Sequence, residues 1–150
     1  DKLLRDKSAE SFDRVFDTKV RGALMLYNLL RNDVKFVVFF SSVASAFGNR
    51  GQIDYAAAND VLDKMAPALR ARVGGRVLSV NWGPWAGTGM VSPQLERDYA
   101  SKGIGLIPLR AGIDALLNEI ARDDYATTQV VLMCGSPASF GEESAAEFAQ

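Results

Sequence analysis

Apolar residues follow two alternating rhythms along the chain. After Ser8, residues Phe12, Phe16, Ala23, Leu26, Tyr27 and Leu30 recur at helical spacing. At 100° per residue they form one stripe, which predicts a helix running to about Leu30 with Ser8, or alternatively Ser11, as its cap. Residues 34–40, VKFVVFF, are rich in β-branched and aromatic side chains and predict a buried parallel strand with Ser41 and Ser42 at its carboxyl end. A loop through Gly48 and Gly51 leads to a second predicted helix, about Ile53 to Arg72, which Gly74–Gly75 stops. Residues 76–82, RVLSVNW, predict a second strand that runs into GPWAGTGM. The polar stretch VSPQLERDYASKGIG predicts a mobile connection with room for a short helix. Pro108 opens a third long helix, with Leu109, Ile113, Leu116, Leu117 and Ile120 as its expected buried face, and QVVLM at 129–133 predicts a third strand. The closing residues, SPASFGEESAAEFAQ, are small, acidic and weakly patterned, as in a linker or frayed tail.

Helices alternating with strands predict parallel α/β units. Ligands of such sheets sit beyond the carboxyl ends of the strands. Ser41–Ser42 and Gly83–Pro84–Trp85 both fall at such ends, so two loops far apart in sequence are expected on one rim.

Composition narrows the chemistry. The 150 residues suit one domain, and 48% apolar with 23% charged residues fits a globular protein. A formal net charge of −1 gives no reason to expect a nucleic-acid or anionic-membrane partner. The chain contains no histidine, which removes Ser-His hydrolases, His-ligated zinc and histidine acid–base chemistry together. A single cysteine, Cys134, excludes an internal disulfide and a CxxC metal site; within VVLMCG it reads as a small core residue. No metal site is expected. No apolar run approaches the ~20 residues of a membrane span, and the charged start DKLLRDKSAE is unlike a signal peptide.

The candidate chemistry lies in SSVASAFGNRGQIDYAAAN, residues 41–59. Ser42 and Tyr55 look like a proton-handling pair. A phenol is a poor acid–base group near neutral pH unless a cation stands beside it. One helical turn after Tyr55 the chain places Asn59, not a cation. The cation is sought on the first helix. With Phe12 at 0°, Lys19 falls at about 340°, near the middle of the apolar stripe. An ammonium there is costly unless it is paired or faces a polar cleft; the alternative is that its stem snorkels past the core. Asn59 has its own alternative, a polar residue on a solvated helix face, and Ser42 that of a strand-end turn serine. No GxSxG motif marks either serine as a nucleophile.

Three segments, FDTKVRGALML, VVFFSSVASAFGNRGQIDYAAANDVLDKMA and VLSVNWGPWAGTGM, resemble the ketoreductase domains of modular and iterative polyketide synthases and polyunsaturated fatty acid synthases. These belong to the short-chain dehydrogenase/reductase superfamily, and the resemblance covers about residues 1–135. Most of that superfamily has its lysine four residues after the tyrosine and an asparagine on the preceding helix. Synthase ketoreductases exchange the two, as Lys19 and Asn59 do here.

The resemblance implies an α/β fold, the C-terminal half of a Rossmann-like doubly wound parallel sheet, with about three strands and flanking helices. It implies NADPH-dependent reduction of a β-ketoacyl thioester held on an acyl carrier protein. Ser42 and Tyr55 would polarise the keto oxygen, Tyr55 would protonate it, Lys19 would favour the tyrosinate and hold the nicotinamide ribose, and Asn59 would support a proton-relay water. Gly83, Pro84 and Trp85 would line the nicotinamide together with Lys19 and Tyr55. Phe47 stands where one stereochemical class carries a tryptophan, eight residues before the tyrosine. Met90, and less strongly Thr88, would meet the acyl substrate. The glycine-rich dinucleotide turn is missing: GNRGQ is wrongly spaced and GTGM too short. Residues 1–136 are therefore expected to be the catalytic half of a reductase domain, with 137–150 a tail or interdomain linker. The first strand is expected to present an open edge to an upstream half. The fragment alone is expected to be inactive, and its expected partners are that upstream half and other synthase domains, in the cytoplasm. Two alternatives remain: a non-catalytic reductase-like subdomain supporting neighbouring synthase domains and, more weakly, a sugar-nucleotide epimerase, a group that keeps lysine at the later position.

Overall fold

A computed structural model describes residues 2–87, 91–101 and 103–135, apart from the side chain of Asp98. Thr88, Met90 and the 137–150 tail lie outside the described residues. A 3-10 turn at Leu4–Asp6 leads into α1 (Ala9–Leu29), capped by Ser8, whose Oγ accepts from the Ser11 amide at 3.3 Å. At its other end the Arg72 guanidinium donates to the carbonyls of Tyr27 and Leu30, groups that a helix terminus leaves unpaired.

Strand β1 (Phe36–Ser42) starts two residues later than expected and runs through both serines. It passes directly into α2 (Val43–Phe47), a short helix that periodicity does not reveal. Gly48, at φ 79°, closes α2 in the left-handed region that favours glycine. Helix α3 (Ile53–Arg70) ends ahead of Gly74–Gly75, and β2 (Arg76–Trp82) has the expected bounds. Then follow α4 (Pro93–Ser101), the two-residue β3 (Ile104–Gly105), α5 (Leu109–Ala121), β4 (Gln129–Leu132) and the two-residue β5 (Cys134–Gly135).

The main sheet has the order β1-β2-β4 with both pairings parallel; β3 and β5 form a separate antiparallel pair. In register, Ser42 stands beside Trp82 and Val80 beside Val130. Central strand β2 is buried throughout. Its alternate side chains serve two layers, as strand geometry requires. Val77 packs with Ala66, Leu69 and Val73 on the α3 side, together with Tyr27, Leu30, Val37 and Phe39. Leu78, Val80 and Trp82 pack with Leu116 and Ile120 of α5 on the other. Cys134 joins this second cluster as a half-buried residue.

Three expectations about burial are corrected. Phe36 and Phe40 of β1 are exposed: they point to the face opposite Val37 and Phe39, which pack toward α3, on a strand that lies at the edge of the described sheet. Leu26 of α1 is exposed while Val20 and Ala23 are buried, so the packing face is rotated from the expected stripe. In α5, Leu109, Ile113 and Leu117 point outward; the contact face is Gly112, Leu116 and Ile120. The cause is Gly112, where an added Cβ would lie 2.4 Å from the Trp85 ring. The helix approaches the sheet on the side that lacks a side chain. Helical spacing defines faces but not which one docks.

Candidate functional site

The carboxyl end of β1, helix α2 and the first turns of α3 build one cluster. Lys19 reaches it from α1, which packs against α3. Its Nζ donates to the Asn59 Oδ1 at 2.6 Å and to the Phe40 carbonyl at 2.9 Å, and lies 5.3 Å from the centre of the Tyr55 ring. The lysine on the apolar stripe is thus paired and faces polar groups. Burial pushes the Lys19 ammonium below its ordinary range, and the charge of Asp63 opposes that shift.

Asn59 is 0% exposed, which removes its reading as a solvated surface residue. Its Nδ2 donates to the Tyr55 carbonyl at 2.7 Å. The amide orientation follows from its partners, since an ammonium only donates and a carbonyl only accepts. Asn59 therefore links Lys19 to the backbone of the residue whose ring the lysine overlies.

Ser42 ends β1 and caps α2, with its Oγ accepting from the Ala44 amide at 3.2 Å. That cap fixes the hydroxyl at the rim. Tyr55 sits in the first turn of α3 and is half-buried. Just before it, Asp54 receives the Tyr55 amide at 2.9 Å and the Lys7 ammonium at 2.6 Å. Burial acts to raise the Asp54 carboxyl, but the Lys7 hydrogen bond, the Tyr55 amide and the Lys7 charge outweigh it and hold it below its ordinary range. This pair anchors the start of α3.

On the neighbouring strand end, Gly83, Pro84 and Trp85 continue directly from Trp82, the register partner of Ser42. Gly83 donates to the Leu132 carbonyl at 2.8 Å, and the Pro84 carbonyl accepts from Ile107 at 2.7 Å. The rings of Trp85 and Trp82 lie 4.6 Å apart. Both rim loops are thus held from below. Phe47 is the half-buried last residue of α2, and Met90 is outside the described residues. A groove of about 290 Å³ between α1 and α3, lined by Leu24, Tyr27, Val61 and Met65 among others, includes none of these residues.

Sequence reasoning misses the buried polar layer beneath the cluster. Asp63, Ser79 and Asn81 are buried and bonded to one another and to Ser41 and Ser45. A signal for it exists: Ser79 and Asn81 interrupt an otherwise apolar strand at alternate positions, and Asp63 lies one turn beyond Asn59. No described helix is long and apolar enough to cross a membrane.

Residues 1–87 match the family model described as the KR domain. The chain is 42% identical over 117 residues to a polyunsaturated fatty acid synthase polypeptide of Thraustochytrium sp., covering 77% of this chain and 4% of that one. It is 43% identical over 118 residues to the polyketide synthase ThaG of Burkholderia thailandensis, covering 73% and 2%. Among solved structures, the ketoreductase from the first module of phoslactomycin biosynthesis in Streptomyces sp. HK803 superposes with a TM-score of 0.84 at 34% identity, over 93% of this chain and 32% of that one. A ketoreductase domain from the bacillaene assembly line gives 0.79 at 30% identity, over 95% and 36%. The chain spans a few per cent of the two synthases' length and about a third of the two structures' chains.

Proposed function

The chain belongs to the ketoreductase (KR) domain family, and from that premise we propose that it supplies the proton-handling side of a site that reduces a β-ketoacyl thioester, held on a carrier protein, to the β-hydroxyacyl product. The observation that carries the reading is Lys19: α1 delivers its ammonium to Asn59 and to the ring of Tyr55. A cation so placed favours the tyrosinate left after proton transfer. Ser42 and Tyr55 donate to the keto oxygen, where negative charge develops, and Tyr55 gives up the proton. Asn59, pinned between Lys19 and the Tyr55 carbonyl, keeps cation and acid in register and stands beside a relay water.

The donor set suits a nicotinamide cofactor. Lys19 and Tyr55 offer a cation and a hydroxyl for ribose oxygens, and Gly83, Pro84 and Trp85 offer a wall for a flat ring. NADPH, when bound, supplies the hydride. Phe47 and Met90 are assigned to the acyl substrate. The free edge of β1, with Phe36 and Phe40 exposed beside it, is assigned to an upstream half of the same domain, which would hold the rest of the cofactor. Other synthase domains and a cytoplasmic setting complete the reading.

The test is Tyr55→Phe in a complete ketoreductase domain containing this chain. Turnover of a β-ketoacyl thioester should fall by about 10² or more, while folding and NADPH binding persist. Turnover within a few-fold of the parent would remove Tyr55 as the acid. A parent domain without reductase activity would favour the non-catalytic alternative.

A further inference from the structure

We propose that Asp63 is a positioning residue of this site: its carboxylate, buried between α3 and the end of β2, locks the Ser42 turn to the helix carrying Tyr55 and Asn59, and supplies the negative charge that balances Lys19. The catalytic part of this inference rests on the reductase reading; the charge part does not.

Tyr55, Asn59 and Asp63 follow one another at four-residue steps and share one face of α3. Asp63 turns to the sheet and is 2% exposed. One oxygen accepts from the Ser79 hydroxyl; the other accepts from Ser45 Oγ at 2.7 Å and Asn81 Nδ2 at 2.8 Å. Ser45 and Asn81 also reach the Ser42 carbonyl, at 2.7 and 3.1 Å. A hydroxyl has one proton, so Ser45 cannot serve Asp63 and Ser42 at once. A carboxylate is the stronger acceptor and takes that proton, while the two Asn81 Nδ2 hydrogens are shared among Asp63, Ser45 Oγ at 2.7 Å, the Ser42 carbonyl at 3.1 Å and Ser41 Oγ at 3.2 Å. Asp63 fixes the sense of the Asn81 amide, because an ionised carboxylate only accepts, and the Asn81 Oδ1 then accepts from Gln129 Nε2 at 3.0 Å. Ser41 completes the link, donating to the Asn59 carbonyl at 3.3 Å. One carboxylate thus orders the donors that join β1, α2, β2 and α3 under the rim.

These direct partners are all neutral. A buried carboxylate is costly without a compensating charge, and Lys19 lies one turn away across Asn59. Burial weakens the Lys19 ammonium and Asp63 counters it. The other titratable groups at the cluster are Tyr55 and, just before it on α3, Asp54, which is paired with Lys7. Strands β1 and β2 and helix α2 surround Asp63 with the neutral groups of Ser41, Ser42, Ser45, Ser79 and Asn81. Nearby on the same helices, Asp17 pairs with Arg21 and Asp60 with Lys64 toward solvent.

The experiment uses Asp63→Asn and Ser45→Ala in a complete ketoreductase domain containing this chain. The Lys19 titration is followed by carbon-13 NMR and assigned with Lys19→Met; kcat and KM are measured across pH with a β-ketoacyl thioester. Removing a negative charge makes neighbouring groups lose their protons at lower pH. In Asp63→Asn, Lys19 should titrate lower by about half a unit or more, and the alkaline limb of kcat/KM should move the same way. The kcat should fall by about tenfold or more with KM nearly constant, the mark of lost alignment. Ser45→Ala keeps the charge and should lower kcat without moving the Lys19 titration. Asp63→Glu should recover the Lys19 titration in part. An unmoved Lys19 titration in Asp63→Asn overturns the charge role, whatever the activity. Unchanged kcat in both variants overturns the positioning role. If the parent domain reduces no keto thioester, the reductase reading and the positioning role fall together, and the lysine titration still decides the charge role.

Discussion

Replacing Lys7 by methionine should destabilise the fold far more than removal of an ordinary surface charge. An exposed ion pair contributes about 0–1 kcal/mol. The Lys7–Asp54 pair is different: its side chains are 6% and 5% exposed and its atoms 2.6 Å apart. Methionine keeps most of the stem volume but leaves the Asp54 carboxylate buried without its counter-charge, held by the backbone amides of Tyr55 and of Asp54 itself. Breaking a buried pair from one side costs about 3–5 kcal/mol, so that is the expected loss at pH 7. Substituting both, Lys7→Met with Asp54→Asn, removes the stranded charge and keeps an acceptor for the Tyr55 amide; most of the loss should return. The pH dependence has a definite sign. In the parent, Asp54 is held below its ordinary range, so its contribution is present above the unfolded carboxyl value, about 3.9, and fades as pH falls through the folded value. In Lys7→Met, burial without the ammonium raises the carboxyl, and protonation relieves the strain as pH falls. The gap between parent and variant should therefore narrow toward pH 4. Guanidinium unfolding of all three proteins at several pH values measures it. A loss below about 1 kcal/mol at pH 7, in the range of exposed pairs, or a double variant no better than the single, would refute the reasoning.

Two further outcomes are expected. Ser42→Ala in a complete domain should lower kcat by about 10²–10³, the usual cost of one oxyanion donor, with the fold retained at a stability loss of about 1 kcal/mol from the missing α2 cap; a kcat loss under threefold would take Ser42 out of the site. Gly112→Ala should cost about 1–3 kcal/mol, because the new Cβ meets the Trp85 ring at 2.4 Å, and Trp85 fluorescence should change with it; a neutral substitution would show that α5 can shift away freely.

The elements with strong periodic signals are legible from residue types alone. RVLSVNW is a strand over its full expected length because β-branched and apolar residues fill a position covered on both faces. Ser8 caps α1 as its side-chain chemistry requires. Helix α2 is not legible: five residues give no period, and its cap, Ser42, reads equally well as a turn residue. The buried faces of α1 and α5 are misread at Leu26, Ile113 and Leu117, since docking is decided by close approach at Ala23 and Gly112 rather than by the number of apolar residues. In the site, Lys19 stands out because a lysine inside an apolar stripe needs a partner. Asp63 does not, because a carboxylate between Asp60 and Lys64 reads as surface until Ser79 and Asn81 are seen beneath it.

The central claim is that Lys19, arriving from a neighbouring helix, is the cation of the Tyr55 acid and shares one site with Asn59. It is tested most directly by exchanging the two residues. The measurement is kcat/KM of the parent, Lys19→Asn, Asn59→Lys and the double variant in a complete ketoreductase domain, with one β-ketoacyl thioester. Lys19→Asn should be severely impaired for want of a cation, and Asn59→Lys impaired by two ammonium groups in one cleft. The double variant restores one cation and one amide, and should exceed the product of the single effects, as coupled neighbours do. Strictly multiplicative losses would contradict the account, because Lys19 and Asn59 would then act independently of each other.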